Sequence, residues 1–166
     1  MTTQCLERIT TKYIDVEDRI QLSGQTGSLT PVVIWLTQRL LQRLIPVVLK
    51  DLERQRQGAL GEVLQGFAQQ AARAGTVPQA PVQFNERSPA WLARKVDVTP
   101  SKTTLQLVFH GAEGQTAVLA LAVDPLRQWL NILYDVCFKA QWPLDVWPAW
   151  IRESVMPASL QPVLLH

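Results

Sequence analysis

The residue types that most often serve as catalytic bases and nucleophiles are scarce in this chain of 166 residues. Its two histidines are His110 and His166, and its two cysteines are Cys5 and Cys137. A nucleophilic serine or cysteine needs a base held beside it. His110 falls on the more polar side of its predicted strand, close to a turn, and His166 lies at the end of the sequence. We therefore expect a solvated histidine at position 110 and predict no catalytic residue.

Acidic residues cluster in one place, at Asp15, Glu17 and Asp18. Paired carboxylates can transfer protons or bind a hard cation, but these three fall in a predicted turn that no glycine shapes into a metal-binding loop. The cysteines and histidines are scattered, which argues against a zinc site. The glycine pair at Gly24 and Gly27 lacks the lysine and the further glycine of a phosphate-binding loop. The sequence therefore predicts no metal and no cofactor.

A basic stripe follows one side of a long predicted helix, residues 31–56. Its members are Arg39, Arg43, Lys50 and Arg54. Their spacing by four, seven and four places them on one helical face. Such a stripe is usually the solvated face of a helix, although it is also the charge pattern of phosphate binding. Because the formal net charge of the whole chain is only +2, nucleic acid is an alternative partner and is not favoured.

The most unusual segment, residues 141–166, combines tryptophan with closely spaced prolines. It contains Trp142, Trp147 and Trp150. The prolines disfavour a continuous helix or a central strand, yet the segment is too apolar to stay in water. It must therefore lie on the domain itself or on a partner. Because aromatic residues dominate the binding energy of interfaces, the three tryptophans are our predicted partner-binding residues.

The elements that position these residues begin with a β-hairpin. Residues 9–14 and 20–23 alternate between apolar and polar types on either side of the acidic turn, as strands do. Thr30 and Pro31 then form a cap-plus-proline pair, which predicts the start of the first helix.

A second helix is predicted after Gly58. Its apolar residues follow the spacing of a single buried stripe, and they are Leu60, Val63, Leu64, Phe67 and Ala71. Its polar residues are expected to face water, and they are Glu62, Gln65, Gln69 and Arg73. The sequence therefore predicts that this helix packs on the core through its leucines and Phe67.

Strands return after a proline-rich loop at residues 75–90. Three strand-like runs, 92–98, 103–110 and 115–123, are joined by short turns and predict an antiparallel meander. Asp124 and Pro125 repeat the cap-plus-proline start and open a third helix. Its apolar stripe is Leu126, Trp129, Leu130, Leu133 and Cys137.

Strands grouped with strands and helices with helices indicate an α+β fold. We expect an antiparallel sheet, made of the hairpin and the meander, packed with three amphipathic helices. The single domain is predicted to cover residues 1–140, with 141–166 as its tail. No secretory signal and no membrane span is predicted, which favours a cytoplasmic protein with unpaired cysteines and no membrane partner.

These observations favour a non-enzymatic protein–protein interaction or scaffold module, whose partner is a second copy in a homodimer or an unknown protein. One alternative is a nucleic-acid-associated module that uses the basic stripe. Another is a small-ligand-binding protein or an enzyme without a recognisable motif, which a cavity with converging polar groups would support.

Overall fold

The structure, a computed structural model, describes residues 3–55, 58 and 60–154. This part of the chain forms an α+β fold with one seven-stranded sheet and four helices. The strands are β1 (Gln4–Ile14), β2 (Arg19–Thr26), β3 (Pro31–Leu36), β4 (Ala90–Leu92), β5 (Lys95–Pro100), β6 (Thr104–His110) and β7 (Thr116–Ala122). The helices are α1 (Gln38–Arg54), α2 (Gly61–Ala74), α3 (Val123–Lys139) and α4 (Ala149–Arg152).

The sheet is mixed, with the strand order β4-β3-β2-β1-β7-β6-β5. The predicted hairpin is present as the antiparallel pair β1 and β2, and β5, β6 and β7 form the antiparallel meander. However, β1 pairs with β7, and β3 pairs with β4, in parallel. The expectation of a purely antiparallel sheet was therefore wrong in detail. Both parallel pairs join strands that are far apart in the sequence, and such long connections allow parallel pairing.

The segment 31–36 is a strand and not the first turns of a helix. β3 pairs antiparallel with β2 and continues the sheet. Its run of Val32, Val33 and Ile34 favours a pleated strand, and a proline is tolerated at the first residue of a strand. The helix begins only after Thr37, whose side chain accepts a hydrogen bond of 3.2 Å from the backbone N–H of Leu40.

The core lies between the sheet and the apolar faces of α1 and α3. The predicted stripe of α3 is buried along its whole length, and its members are Leu126, Trp129, Leu130, Leu133 and Cys137. Burial raises the pKa of the Cys137 thiol to about 11, because an apolar surrounding disfavours the thiolate. Cys137 is therefore a core residue, whereas Cys5 is exposed.

Residues 141–154 of the predicted tail pack on the domain itself. Trp142, Trp147 and Trp150 are buried and belong to the same core cluster as the sheet and α3. The rings of Trp142 and Trp147 make edge-to-face contacts with Tyr13 and Tyr134, at centroid distances of 5.8 and 5.5 Å. The three predicted partner-binding tryptophans therefore lie in the core of the described chain, where a buried ring offers little area to a partner. The rest of the predicted tail, residues 155–166, lies outside the described residues.

Candidate interaction surface on the second helix

His110 lies beside two charged side chains of the neighbouring strand. His110 ends β6, and its Nε2 lies 2.8 Å from Oδ2 of Asp97 on the neighbouring strand β5. Lys95 reaches the other oxygen of Asp97 at 3.1 Å. Contacts with Lys95 and His110 lower the pKa of Asp97. Lys95 and Asp97 lie on β5 and His110 lies on β6, so the three side chains form a polar cluster on the sheet surface that links the two strands.

The acidic turn has a structural partner in the tail. Asp18 accepts a hydrogen bond of 2.8 Å from Trp142 Nε1 and another of 2.8 Å from the Tyr13 hydroxyl. These two bonds, that of Trp142 first, lower the pKa of the Asp18 carboxyl. Asp15 and Glu17 are exposed. Asp18 therefore ties the hairpin turn to residue 142, and in the described part of the chain no group of three histidine, cysteine or acidic side chains is arranged to hold a metal ion.

The basic stripe is on the exposed face of α1. Arg39, Arg43, Lys50 and Arg54 are all exposed, and Arg54 pairs with Asp51 at 3.4 Å. Arg94, which follows β4, lines the same shallow groove as Arg39 and Arg43. The fold thus adds a third arginine to one end of the stripe, which the sequence pattern did not indicate.

An open cleft of about 370 Å³ lies where β1 and β7 diverge beside α3. Two of its polar side chains, Trp129 and Arg8, hydrogen-bond within the chain. Trp129 Nε1 donates to Thr11 Oγ1 at 3.0 Å. Arg8 donates to Gln25 Oε1 at 2.6 Å and also to the backbone oxygen of Ala80. Glu7, Gln79 and Gln128 also line the cleft.

The second helix is turned the opposite way from the prediction. The side chains of Gln65 and Gln69 are buried, with 2% and 0% of their area exposed. The apolar residues Leu60, Val63, Leu64 and Phe67 are 68%, 52%, 44% and 64% exposed, and Ala71 is exposed as well. The prediction that this stripe packs on the core was therefore wrong.

The reason is a polar interface between α2 and α3. Gln69 Nε2 donates to Asn131 Oδ1 at 2.8 Å and to the backbone oxygen of Arg127 at 2.9 Å. At the C-terminal end, Arg73 forms a two-pronged pair with Asp135, with both N–O distances at 3.1 Å. The partners advance together along both helices, so that α2 and α3 run in the same direction. Paired hydrogen bonds over two turns hold α2 in this orientation.

Arg127 is the centre of this interface, and only 1% of its area is exposed. Its Nη2 donates to Gln65 Oε1 at 2.5 Å, and its Nη1 donates to Gln69 Oε1 at 3.1 Å. Its guanidinium carbon lies 5.7 Å from the ring centroid of Trp150. A buried cation is costly unless dipoles or charges compensate it, and the two amide oxygens and the aromatic face contribute that compensation.

The outward side of α2 is consequently an apolar surface. We call Leu60, Val63, Leu64 and Phe67 the α2 stripe. Next to it, an open groove of about 480 Å³ runs between α2 and α4. Val63 and Phe67 line the α2 side, and Trp150, Glu153 and Ser154 line the α4 side. Soluble domains rarely expose contiguous apolar side chains on one helix face unless that face binds something.

A signal for this arrangement was present in the sequence. Gln65, Gln69 and Arg73 are spaced by four, and so are Arg127, Asn131 and Asp135. These two sets of polar residues carry matching hydrogen-bond donors and acceptors, and the spacing within each set places its members on one helix face. Nothing in the spacing alone, however, shows that two helices distant in sequence face each other.

Comparison with protein-family models, with curated proteins and with solved structures found no match to this chain. None of the described helices is both long and apolar enough to cross a membrane. The function is therefore inferred from the geometry of the molecule itself.

Proposed function

We propose that this protein is a non-enzymatic protein–protein interaction module that forms a homodimer through the α2 stripe. The observation that carries this proposal is the exposure of four large apolar side chains on one side of α2, three of them in the helix and one, Leu60, at its N-cap. Their positions are i, i+3, i+4 and i+7, which is the pattern by which a helix anchors itself to an apolar partner.

A second copy is favoured as the partner because the stripe is complementary to itself. It contains no charged side chain, and a two-fold axis near Leu64 would set the two copies of α2 side by side, with the same residues buried on each. Ridges formed by residues three and four apart pack into the grooves of an identical helix. Among the described residues, α3 occupies the polar side of α2, and the α2 stripe is exposed.

The change of Phe67 to serine tests this proposal. We expect the dissociation constant of the homodimer to rise at least about tenfold, because burial of a large apolar side chain contributes about 1.5–3 kcal/mol. Sedimentation velocity over a concentration series measures the constant.

The matched control is Phe138→Ser on α3. Phe138 is 65% exposed and Phe67 is 64% exposed, so both substitutions remove the same exposed ring. The control is expected to leave the dissociation constant within about twofold of the unmodified chain. Equal behaviour of the two variants, or a chain that stays monomeric at all concentrations, would contradict a dimer through the α2 stripe.

A second candidate function, association with nucleic acid, is favoured by one specific observation. Arg94 joins Arg39 and Arg43 around one groove at the start of α1. A cluster of guanidinium groups suits phosphate oxygens, because each can donate two parallel hydrogen bonds.

This candidate predicts binding of duplex DNA that weakens as salt rises. The slope of log K against log salt is negative, and the triple change of Arg39, Arg43 and Arg94 to alanine should reduce its magnitude by about 0.9 for each phosphate that the arginines no longer neutralise. Fluorescence anisotropy at several salt concentrations measures the slope. Replacement of the exposed Arg87 and Arg152, which lie outside the groove, is the control. The same slope for both variants would exclude this groove as the binding site.

A further inference from the structure

The groove between α2 and α4 lies where the described chain ends. Ser154, the last described residue, is buried, and its hydroxyl donates a hydrogen bond of 2.6 Å to the backbone oxygen of Ile151. Glu153 and Ser154 are themselves part of the groove wall, opposite Val63 and Phe67. The chain is thus held at the rim of the groove at the point where residues 155–166 begin.

Those residues have the length and the chemistry to cover the α2 stripe. An extended chain advances about 3.3 Å per residue, so residues 155–166 reach roughly 40 Å, whereas α2 is roughly 21 Å long at 1.5 Å per residue. The apolar residues of this segment are Val155, Met156, Leu160, Val163, Leu164 and Leu165. It contains no acidic side chain that Glu62 or Glu153 at the groove would repel.

We infer that residues 155–166 bind the α2–α4 groove of their own chain and compete with the second copy for the α2 stripe. The tether favours this occupant, because a short linker raises the local concentration of a segment to the millimolar range. The inference rests on the proposed function, since it names what regulates access to that surface. A partner must then displace the segment, which makes dimerisation weaker in the full chain than the stripe alone would allow.

The first test weakens the segment without touching the groove. In the full chain, Leu160→Asp with Leu164→Asp removes two apolar side chains, and we expect the homodimer dissociation constant to fall about tenfold. Ser159→Asp with Gln161→Asp adds the same charge, keeps both leucines and should behave as the unmodified chain. A dissociation constant that is unchanged or higher in the leucine variant overturns the inference, and the Phe67→Ser result then decides the proposed function separately.

The second test measures coverage of the groove in the monomer. Gln70 lines the groove beside the α2 stripe, so the variant Gln70→Cys with Cys5→Ser places a reactive thiol there. Cys137 is buried and does not interfere. The labelling rate with a thiol reagent is measured at a concentration well below the dimer dissociation constant. Addition of Leu160→Asp and Leu164→Asp to this variant should raise the rate about tenfold. Equal rates show that residues 155–166 leave the groove open and overturn the inference, whether or not the chain dimerises.

Discussion

Replacement of Trp147 by alanine is expected to lower the free energy of unfolding by about 4 kcal/mol. Only 1% of this side chain is exposed, and its ring packs edge-to-face on Tyr134 of α3. The change removes a large aromatic side chain from a site that the surrounding core cannot refill. It also removes an aromatic pair, which contributes about 0.5–1.5 kcal/mol beyond the area buried. Since Trp147 lies beyond the last long helix, the effect measures how firmly residues 141–154 belong to the domain.

Urea unfolding followed by circular dichroism measures this loss. The control is Phe138→Ala. It removes an exposed ring at the end of α3, the helix on which Trp147 packs, and should change the free energy of unfolding by less than about 0.5 kcal/mol. If Trp147→Ala unfolded no more easily than the control, residues 141–154 would not be part of the stable core.

Much of the fold follows from local patterns in the sequence. The alternation on both sides of the acidic turn predicted the hairpin, and the apolar stripe of α3 predicted its buried face. The prediction for segment 31–36 was wrong because a threonine followed by a proline is a good helix start. Its β-branched residues and the edge offered by β2 favour a strand instead. Local capping preferences are worth about 1 kcal/mol, which pairing in the middle of a sheet readily exceeds.

The candidate site could not be predicted from periodicity, for a physical reason. Periodicity shows which side chains share a face of α2, but it does not show which face the rest of the domain covers. That choice depends on Arg127, a residue of α3 that is buried among polar partners. If the leucine face of α2 were turned inward, Gln65 and Gln69 would leave the guanidinium without their two oxygens. The loss of two hydrogen-bond acceptors from a buried guanidinium is costly and opposes burial of the leucine face.

The polar interface therefore determines the function proposed for α2. A helix held by hydrogen bonds keeps one orientation, because each donor has to meet its acceptor, whereas apolar packing alone would tolerate rotation. The interface between α2 and α3 thus keeps the α2 stripe exposed, as the proposed homodimer requires. The exposure of the α2 stripe and the burial of Gln65 and Gln69 both result from the contact between α2 and α3.

Replacement of Arg127 by alanine is accordingly expected to cost about 3 kcal/mol of unfolding free energy. It leaves the side-chain oxygens of Gln65 and Gln69 buried without this donor, and it removes the cation from the face of Trp150. Urea unfolding measures the loss. Because the orientation of α2 depends on the same contacts, the variant should also dimerise more weakly. Sedimentation velocity, in buffer in which the variant is folded, measures its homodimer dissociation constant.

Two further variants separate the buried contact from the loss of a charge. Arg152→Ala removes an exposed arginine of α4 and should change the unfolding free energy by less than about 0.5 kcal/mol. The quadruple variant Arg127→Met, Gln65→Leu, Gln69→Leu and Asn131→Leu replaces the cluster with apolar side chains and should lose less unfolding free energy than Arg127→Ala, because the buried charge and its amide partners are removed together. A loss in Arg127→Ala no larger than that in Arg152→Ala would show that the polar cluster does not hold α2 on the domain.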